Sequence, residues 1–244
     1  MKKITILSIL AVIIFGCSGD ESSSELNPGD GQGGSLATFV LKNNYLYAVD
    51  NEKINIFSLI NTEFPVQVNN VFVGFRVETL FSQDNFLYVG SQTGMFIYSL
   101  ENPTNPVLVS SAEHFTACDP VISNGPLTFV SLHSNTRCGN NINVVEIYDT
   151  TDINNPSLLT SLNLVAPKGM GLYGNYLFVC DGVIKIFDIH DPATPLMVHA
   201  INVDCHDVII KGNDLFAIGD DGLYRYELHP DNVTNVTPKS NILF

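Results

Sequence analysis

A four-part pattern recurs along the chain from Asn43 to the C-terminus. In its clearest copy, GNYLFVCDGVIKIFDIHDPATP at 174–195, a Gly-Asn turn opens an apolar run, an Asp-Gly turn joins it to an alternating run, and a proline-containing turn follows. Two such runs joined by Asp-Gly predict a β-hairpin. Each copy is anchored by a leucine in its first run, at Leu46, Leu87, Leu127, Leu177 and Leu215, with steps of 41, 40, 50 and 38 residues. This spacing restricts the chain to a repeat architecture.

Each copy also holds two further apolar runs, one before the leucine and one after the proline. Four short strands in about 40 residues is the length of a β-propeller blade. One four-stranded sheet cannot bury both of its faces alone, whereas blades stacked around an axis can. No segment of the mature chain has a helical period over three turns, which excludes α-solenoids and βαβ folds. The sequence therefore predicts an all-β fold, a β-propeller of five blades with four short antiparallel strands each.

The two ends of the repeat array predict how the ring closes. The last copy has no strand left over, so 232–244 must supply its outer strand. We therefore expect the first and last blades to be joined by side-chain packing and not by strand exchange. The one long step falls in the third copy, where SLHSNTRCGNN at 131–141 lengthens the loop between the two hairpin strands. Insertions of this kind belong on loops.

Three copies carry a resemblance to a known family. The runs GNYLFVCDGVIKIFDIHDPATP (174–195), DNFLYVGSQTGMFIYSLENPTNP (84–106) and GNDLFAIGDDGLYRYEL (212–228) resemble the LVIVD-repeat family of bacterial surface propellers. The resemblance extends from Leu36 to the C-terminus. It implies a propeller on the cell surface and no particular activity, because a fold does not specify a function.

The N-terminus has the features of an export signal. Lys2 and Lys3 precede an apolar run of about a dozen residues, which is too short to span a bilayer and suits a signal peptide. The run ends in Ile-Phe-Gly-Cys17, which resembles a lipobox, so Cys17 is the predicted lipidation site; an ordinary signal with a chance cysteine is the alternative. We predict a signal peptide at 1–16, a lipidated flexible tether at 17–35 and the propeller domain at 36–244.

The tether predicts where the protein is located, and the net charge indicates which classes of partner are disfavoured. SGDESSSELNPGDGQGG at 18–34 is too polar to fold, and it resembles the acidic tethers of surface lipoproteins of the Bacteroidetes type. We expect a lipid-anchored, surface-exposed protein of the outer membrane, with a periplasm-facing protein as the alternative. Without Lys2 and Lys3, nine basic residues face 25 acidic ones, a net charge of −16. This charge disfavours nucleic acids and anionic membrane surfaces, so membrane contact is expected through the lipid alone.

Four cysteines are left once Cys17 is set aside, and an even number in an exported protein predicts disulfides. The predicted blades place Cys118, Cys138, Cys180 and Cys205 toward one end of the propeller. We expect the pairs Cys118–Cys138 and Cys180–Cys205, although four cysteines permit three pairings.

The same end of the propeller gathers polar residues. Alignment on the leucine places one residue of each copy at the start of the innermost strand: Thr38, Thr79, Asp119, Gly169 and Asp207. With their neighbours they give a candidate ligand site at the channel mouth: Glu78, Asp119, Lys168, His206 and Asp207. Histidine and carboxylates could bind a metal, but the aspartates could equally accept backbone N–H groups and hold the ring together. His133, Arg137 and Lys168 form a weaker candidate, a recognition patch. We assign no catalytic residue, metal or cofactor.

Two functional hypotheses follow. The first is a non-catalytic surface lipoprotein whose propeller binds or scaffolds a protein or glycan partner. The second is a hydrolase or metal-dependent enzyme at the channel mouth, in which Asp119 and Asp207 could serve as the carboxylate pair of a glycoside hydrolase. The sequence has no nucleophile, phosphate-loop, dinucleotide or zinc-protease motif. It also contains no Trp, the usual sugar-stacking side chain, so we favour the first hypothesis.

Overall fold

The computed structural model describes residues 34–74, 76–113, 120–134 and 142–244. Within these ranges the chain forms five four-stranded antiparallel sheets and no helix, so the predicted five-bladed propeller class is confirmed. None of the described residues belongs to a helix that could cross a membrane. The strands are β1 (Phe39–Lys42), β2 (Tyr45–Asp50), β3 (Lys53–Ser58), β4 (Val66–Phe72), β5 (Val77–Gln83), β6 (Phe86–Ser91), β7 (Gly94–Ser99), β8 (Val107–Glu113), β9 (Val121–Ser123), β10 (Leu127–Leu132), β11 (Val144–Asp149), β12 (Ser157–Asn163), β13 (Met170–Tyr173), β14 (Tyr176–Cys180), β15 (Ile184–Asp188), β16 (Leu196–Ile201), β17 (Asp207–Lys211), β18 (Asp214–Ile218), β19 (Gly222–Glu227) and β20 (Thr237–Leu243).

Every blade is made of four consecutive strands, so blade 1 is β1–β4 and blade 5 is β17–β20. The first strand of a blade lies against the first strand of the next, as β1 does with β5 and β13 with β17, which makes it the innermost strand, as predicted. The long loop of blade 3 lies between β10 and β11, and β20 supplies the last outer strand.

The turn between the first two strands of each blade needs a residue with positive φ. Gly174 and Gly212 supply it in blades 4 and 5, with φ of 54° and 58°. Asn43 and Asp84 take the same conformation in blades 1 and 2, with φ of 53° and 50°. Asn and Asp tolerate this region better than other residues with a Cβ, which explains why the repeated turn accepts Gly, Asn or Asp.

A β-bulge recurs at the same place in all five blades. The pairing of the third and fourth strands shifts by one residue between Ile56 and Phe57, and likewise between Ile186 and Phe187. The extra residue lies on the outer strand: Val68, Val109, Leu159, Val198 and Lys239. A bulge bends and twists an edge strand, so it discourages pairing with a strand of another chain.

The core consists of apolar clusters between neighbouring blades. Four clusters unite blades 1 and 2, blades 2 and 3, blades 3 and 4, and blades 4 and 5. Among the described residues, no such cluster unites blade 5 with blade 1. The interface between these two blades, which we call the seam, is therefore packed differently from the other four.

Equivalent rows of residues show this difference directly. Across blade 4, Cys180, Ile184 and Ile201 are paired neighbours, and they are 0%, 0% and 8% exposed against blade 5. The same row of blade 5, Ile218, Leu223 and Ile242, faces the seam, and Ile218 and Ile242 are 43% and 62% exposed.

Blade 1 shows the same opening from the other side of the seam. Phe39 is 58% exposed, and Leu46 is partly exposed, as is Leu127 of blade 3, whereas the counterparts Leu87, Leu177 and Leu215 are fully buried. The expectation of a closure without strand exchange is confirmed for the described residues, since every blade consists of four consecutive strands. The side chains at the seam nevertheless leave more apolar surface exposed than those at the blade 4–blade 5 interface. The apolar residues are present on both faces, but they do not bury one another.

Candidate functional site

Blade 5 is connected to blade 1 by the carboxylate of Asp207. This residue begins β17, and its carboxylate accepts hydrogen bonds from the backbone of Ser35, Leu36 and Val208 and from the Ser35 hydroxyl. Ser35 is fully buried, and its Oγ in turn accepts the Met170 backbone N–H of blade 4 at 2.7 Å. The segment that leads into blade 1 is thereby held against the inner strands of blades 4 and 5.

Two glycines make room for this carboxylate. A Cβ at Gly34 or at Gly169 would overlap the Asp207 carboxylate oxygens, so any side chain at either position would displace it. Burial raises the pKa of Asp207 to about 6, and its hydrogen bonds only partly offset this effect. Asp207 therefore accepts backbone N–H groups and helps to hold the ring together, which is one of the two roles that the sequence left open. Its carboxylate oxygens already have hydrogen-bond partners within the fold.

Lys168 and His206, which the sequence placed together, are in contact at the channel mouth. Lys168 Nζ lies 3.5 Å from His206 Nδ1, and His206 Nε2 lies 2.7 Å from the Asp220 carboxylate. An ammonium group only donates hydrogen bonds, so the tautomer that satisfies both contacts has Nδ1 as the acceptor and the ring proton on Nε2, facing Asp220. Asp220 was not a sequence candidate, because it belongs to a hairpin turn that looks purely structural in the sequence.

A disulfide fixes the two segments that carry these side chains. Cys180 and Cys205 are bonded and fully buried, which is one of the two expected pairs. The Lys168 N–H donates to the Cys180 carbonyl at 2.8 Å, and His206 directly follows Cys205. Closing a loop of 25 residues contributes about 3 kcal/mol in the chain-entropy description.

His133, at the end of β10 in blade 3, approaches the same mouth. Burial and the nearby charge of Lys168 lower the pKa of His133. Its Nδ1 is buried and has no hydrogen-bond partner among the residues that the structure describes. Three successive blades thus each contribute one nitrogen-bearing side chain to the mouth.

The remaining sequence candidates are distributed differently. Glu78 lies in the bulge at the start of β5, where burial raises its pKa and the charge of Arg76 opposes that shift. Asp119, Cys118, Cys138, Arg137 and Cys17 lie outside the described residues. No group of three or more His, Cys, Asp or Glu side chains in the described ranges has an arrangement that could hold a metal ion.

Asp181 has a role that sequence reasoning missed, since its Asp-Gly pair indicated only a hairpin turn. Its buried carboxylate pairs with Lys185 at 2.6 Å and accepts the backbone N–H groups of Val165 and Ala166. Burial alone would raise the pKa of Asp181, but these hydrogen bonds outweigh it and hold the pKa below its ordinary value. A lysine four residues after the turn was the available signal, because the hairpin brings the two side chains together.

A cavity of about 220 Å³ lies along the channel, between the inner strands of blades 2 to 5. Its lining extends to Gln83 and Asn124 at the ends of inner strands, so it lies toward the end of the channel opposite Asp207. Its apolar walls are Phe81, Ile122, Met170, Leu172, Val208 and Ile210.

Fold and repeats together define the class of this protein as a five-bladed β-propeller. Residues 81–113 and 168–203 match the model of the LVIVD repeat. The first stretch runs from the end of β5 through β8, and the second covers blade 4. The chain thus contains two stretches that match the LVIVD repeat within a five-bladed propeller, as the sequence resemblance indicated. None of the curated protein sequences matches it.

Solved structures share the fold at low sequence identity. A functionally unknown protein from Desulfotomaculum acetoxidans is similar over 88% of this chain and 69% of its own, with a TM-score of 0.67 and 12% identity. The periplasmic gluconolactonase of Pseudomonas aeruginosa is similar over 82% and 67%, with a TM-score of 0.63 and 12% identity.

BamB from Moraxella catarrhalis is similar over 72% of this chain and 53% of its own, with a TM-score of 0.54 and 14% identity. The chain therefore spans about half of BamB and about two thirds of the other two proteins. At such identities the likeness shows the fold alone.

Proposed function

We propose that this protein is a non-catalytic, lipid-anchored protein of the outer-membrane surface whose propeller binds or scaffolds a protein or glycan partner. The observation that carries the proposal is a set of exposed apolar side chains near the start of the outer strand in four blades. They are Val66, Val107, Leu158 and Leu196, with exposures of 59%, 56%, 51% and 68%. We call this set the outer belt.

The outer belt is suited to contacts between side chains. Exposed apolar side chains mark interaction sites in soluble proteins when they form a contiguous patch. The bulge in every outer strand works against the addition of a foreign strand. A partner would therefore bury the apolar side chains of the outer belt without extending a sheet.

The glycan alternative is favoured by an aromatic concavity between blades 4 and 5. Tyr173, Tyr176 and His190 line a cleft of about 430 Å³ together with Asn175 and Pro230. The rings of Tyr176 and His190 meet edge to face at 6.1 Å. Partly exposed tyrosine rings beside an amide side chain provide apolar and hydrogen-bonding surface for a sugar.

The use of Asp207 within the fold argues against the hydrolase hypothesis. A glycoside hydrolase needs two carboxylates free to act on the substrate. Asp207 accepts hydrogen bonds from the backbone of Ser35, Leu36 and Val208, so it is already used. The gluconolactonase shares its fold with this chain, and that likeness does not transfer its reaction.

Site-specific photo-crosslinking in cells tests the binding role. A photoreactive residue at Val107 or Leu196 should give one discrete adduct that carries a protein or a glycan. The matched control is Glu113, which is exposed at the other end of β8 and lies outside the outer belt. Adducts at Val107 and Leu196 but not at Glu113 are expected.

Two outcomes would overturn the proposal. One is the absence of any discrete adduct at the four positions of the outer belt and at Tyr176. The other is turnover of a polysaccharide or ester by the purified full chain that is lost in a folded Asp207→Ala or Asp119→Ala variant.

A further inference from the structure

Lys168 has a different kind of partner from the other cations whose ion pairs are described. Lys185, Arg225 and Lys239 each contact a carboxylate, of Asp181, Asp214 and Glu227 respectively. Lys168 instead contacts the Nδ1 atom of an imidazole. A ring nitrogen carries no negative charge, so this contact orients the Lys168 charge without neutralising it.

The position of the Lys168 charge is fixed by covalent and hydrogen-bonded neighbours. The Asp220 carboxylate, 2.7 Å from His206 Nε2, holds the ring with Nδ1 toward Lys168. The Lys168 backbone is bonded to the Cys180 carbonyl, and Cys180 is linked to Cys205, next to His206. A charged donor held in this way loses little conformational entropy when it binds a ligand.

The surroundings of Lys168 add one ring nitrogen, and the buried carboxylate of Asp207 is already occupied. The buried Nδ1 of His133 lacks a partner among the described residues, and a buried polar atom without a partner is costly unless a ligand or water satisfies it. The Asp207 carboxylate is directed toward Ser35 and Leu36, which already donate to it.

We propose that Lys168 and His133 form a binding site for one small oxyanion group, a carboxylate or a phosphate, at the channel mouth, and that His206 positions Lys168 in it. The strongly acidic chain repels polyanions at long range, so the site selects a ligand with a single anionic group. This inference rests on the proposed binding role, since it names the chemistry that the mouth recognises.

Calorimetric titration of the full chain tests this site with glucuronate, inorganic phosphate and neutral glucose as the probes. Lys168→Gln should weaken binding of the anion about tenfold or more, because a hydrogen bond to a charged group is lost. The matched control is Lys211→Gln, which removes the same charge at the opposite end of the channel, from the last residue of β17. Binding to this variant should change less than about twofold.

The probes separate the two sources of the oxyanion. Glucuronate binding without phosphate binding assigns a carboxylate ligand, and the reverse assigns a phosphate. Equal weakening in Lys168→Gln and Lys211→Gln, saturable binding of glucose that matches glucuronate, or no saturable binding of either anion would overturn the inference. Each of these results leaves the crosslinking test of the outer belt unaffected, so the two proposals fail separately.

Discussion

Asp207 shows how one residue can have the sequence signature of a ligand site and yet serve the fold. Acidic side chains at the start of an innermost strand can face a ligand or accept backbone N–H groups. The buried segment at 34–36 decides the matter, because its Ser35 and Leu36 amides reach the carboxylate and its Gly34 leaves space for it. The contact joins residues 172 positions apart, which no local pattern in the sequence predicts.

Asp207 should make the stability of the protein depend on pH. Its pKa is about 6 in the folded chain and about 3.8 in the unfolded one, so the folded state holds its proton more tightly between these values. The free energy of unfolding should therefore fall as pH rises from about 4 to about 6, by on the order of 3 kcal/mol, and then level off. In Asp207→Asn this contribution should be absent. Urea unfolding of both proteins at several pH values from 4 to 7 measures the difference, and parallel curves would refute the role of Asp207.

Among the elements, the seam between blades 5 and 1 differs from the other blade interfaces. Its faces carry apolar residues in the same rows as every other blade, but they also carry Arg225 opposite Phe216, where blade 4 has Ile186 opposite Phe178. Arg225 lies over the Phe216 ring at 6.0 Å and pairs with Asp214. These charged side chains give the seam-facing side of blade 5 a polar surface that can contact water. The outer faces of terminal repeats in repeat proteins are polar for the same reason.

A matched pair of substitutions should reveal the open seam. Ile201→Ala removes a buried side chain between blades 4 and 5 and should cost about 2 to 4 kcal/mol of unfolding free energy. Ile242→Ala alters the equivalent residue of blade 5 and should cost less than about 1 kcal/mol, because the side chain is already exposed. Urea unfolding at one pH compares the two variants. Equal losses would mean that the seam is packed in solution.

At the scale of the whole molecule, the net charge and the outer belt determine which partners the propeller can bind. The strongly acidic chain disfavours nucleic acids and anionic lipid surfaces over its whole exterior. The outer belt, in contrast, recurs in four of the five blades and offers an apolar contact from several directions. Attachment through a lipid at Cys17 would present this exterior to partners without direct contact between the folded domain and the bilayer.

The proposed anchor predicts a change of location when its cysteine is replaced. The parent chain should sediment with the outer membrane and be digested by protease added to intact cells. Cys17→Ser should leave the membrane fraction, because no acyl chain can be attached. Ser18→Ala is the control and should sediment like the parent. A parent chain that is never in the membrane fraction would refute the anchor, and one protected from protease in intact cells would place it facing the periplasm.

Much of the fold could be predicted because its signals are local. The anchor leucines, the Asp-Gly and Gly-Asn turns and the prolines each act within a few residues, so they indicated the strands, their order and the number of blades. The disulfide between Cys180 and Cys205 followed from the predicted position of both residues at the same end of adjacent blades. At the mouth, the contact of Lys168 with His206 was also predictable, because aligned repeats place equivalent residues side by side.

The sequence by itself thus determined the repeat, the strand pattern and the innermost strands, because backbone conformation and apolar alternation are set by near neighbours. Only the tertiary structure decided that Asp207 joins blade 5 to the segment before blade 1, that Asp220 orients His206 and that the apolar faces of the seam stay exposed. These outcomes depend on how five similar sheets are placed around an axis. The seam joins the first and last blades, so its contacts depend on the placement of all five sheets and on residues far apart in the chain.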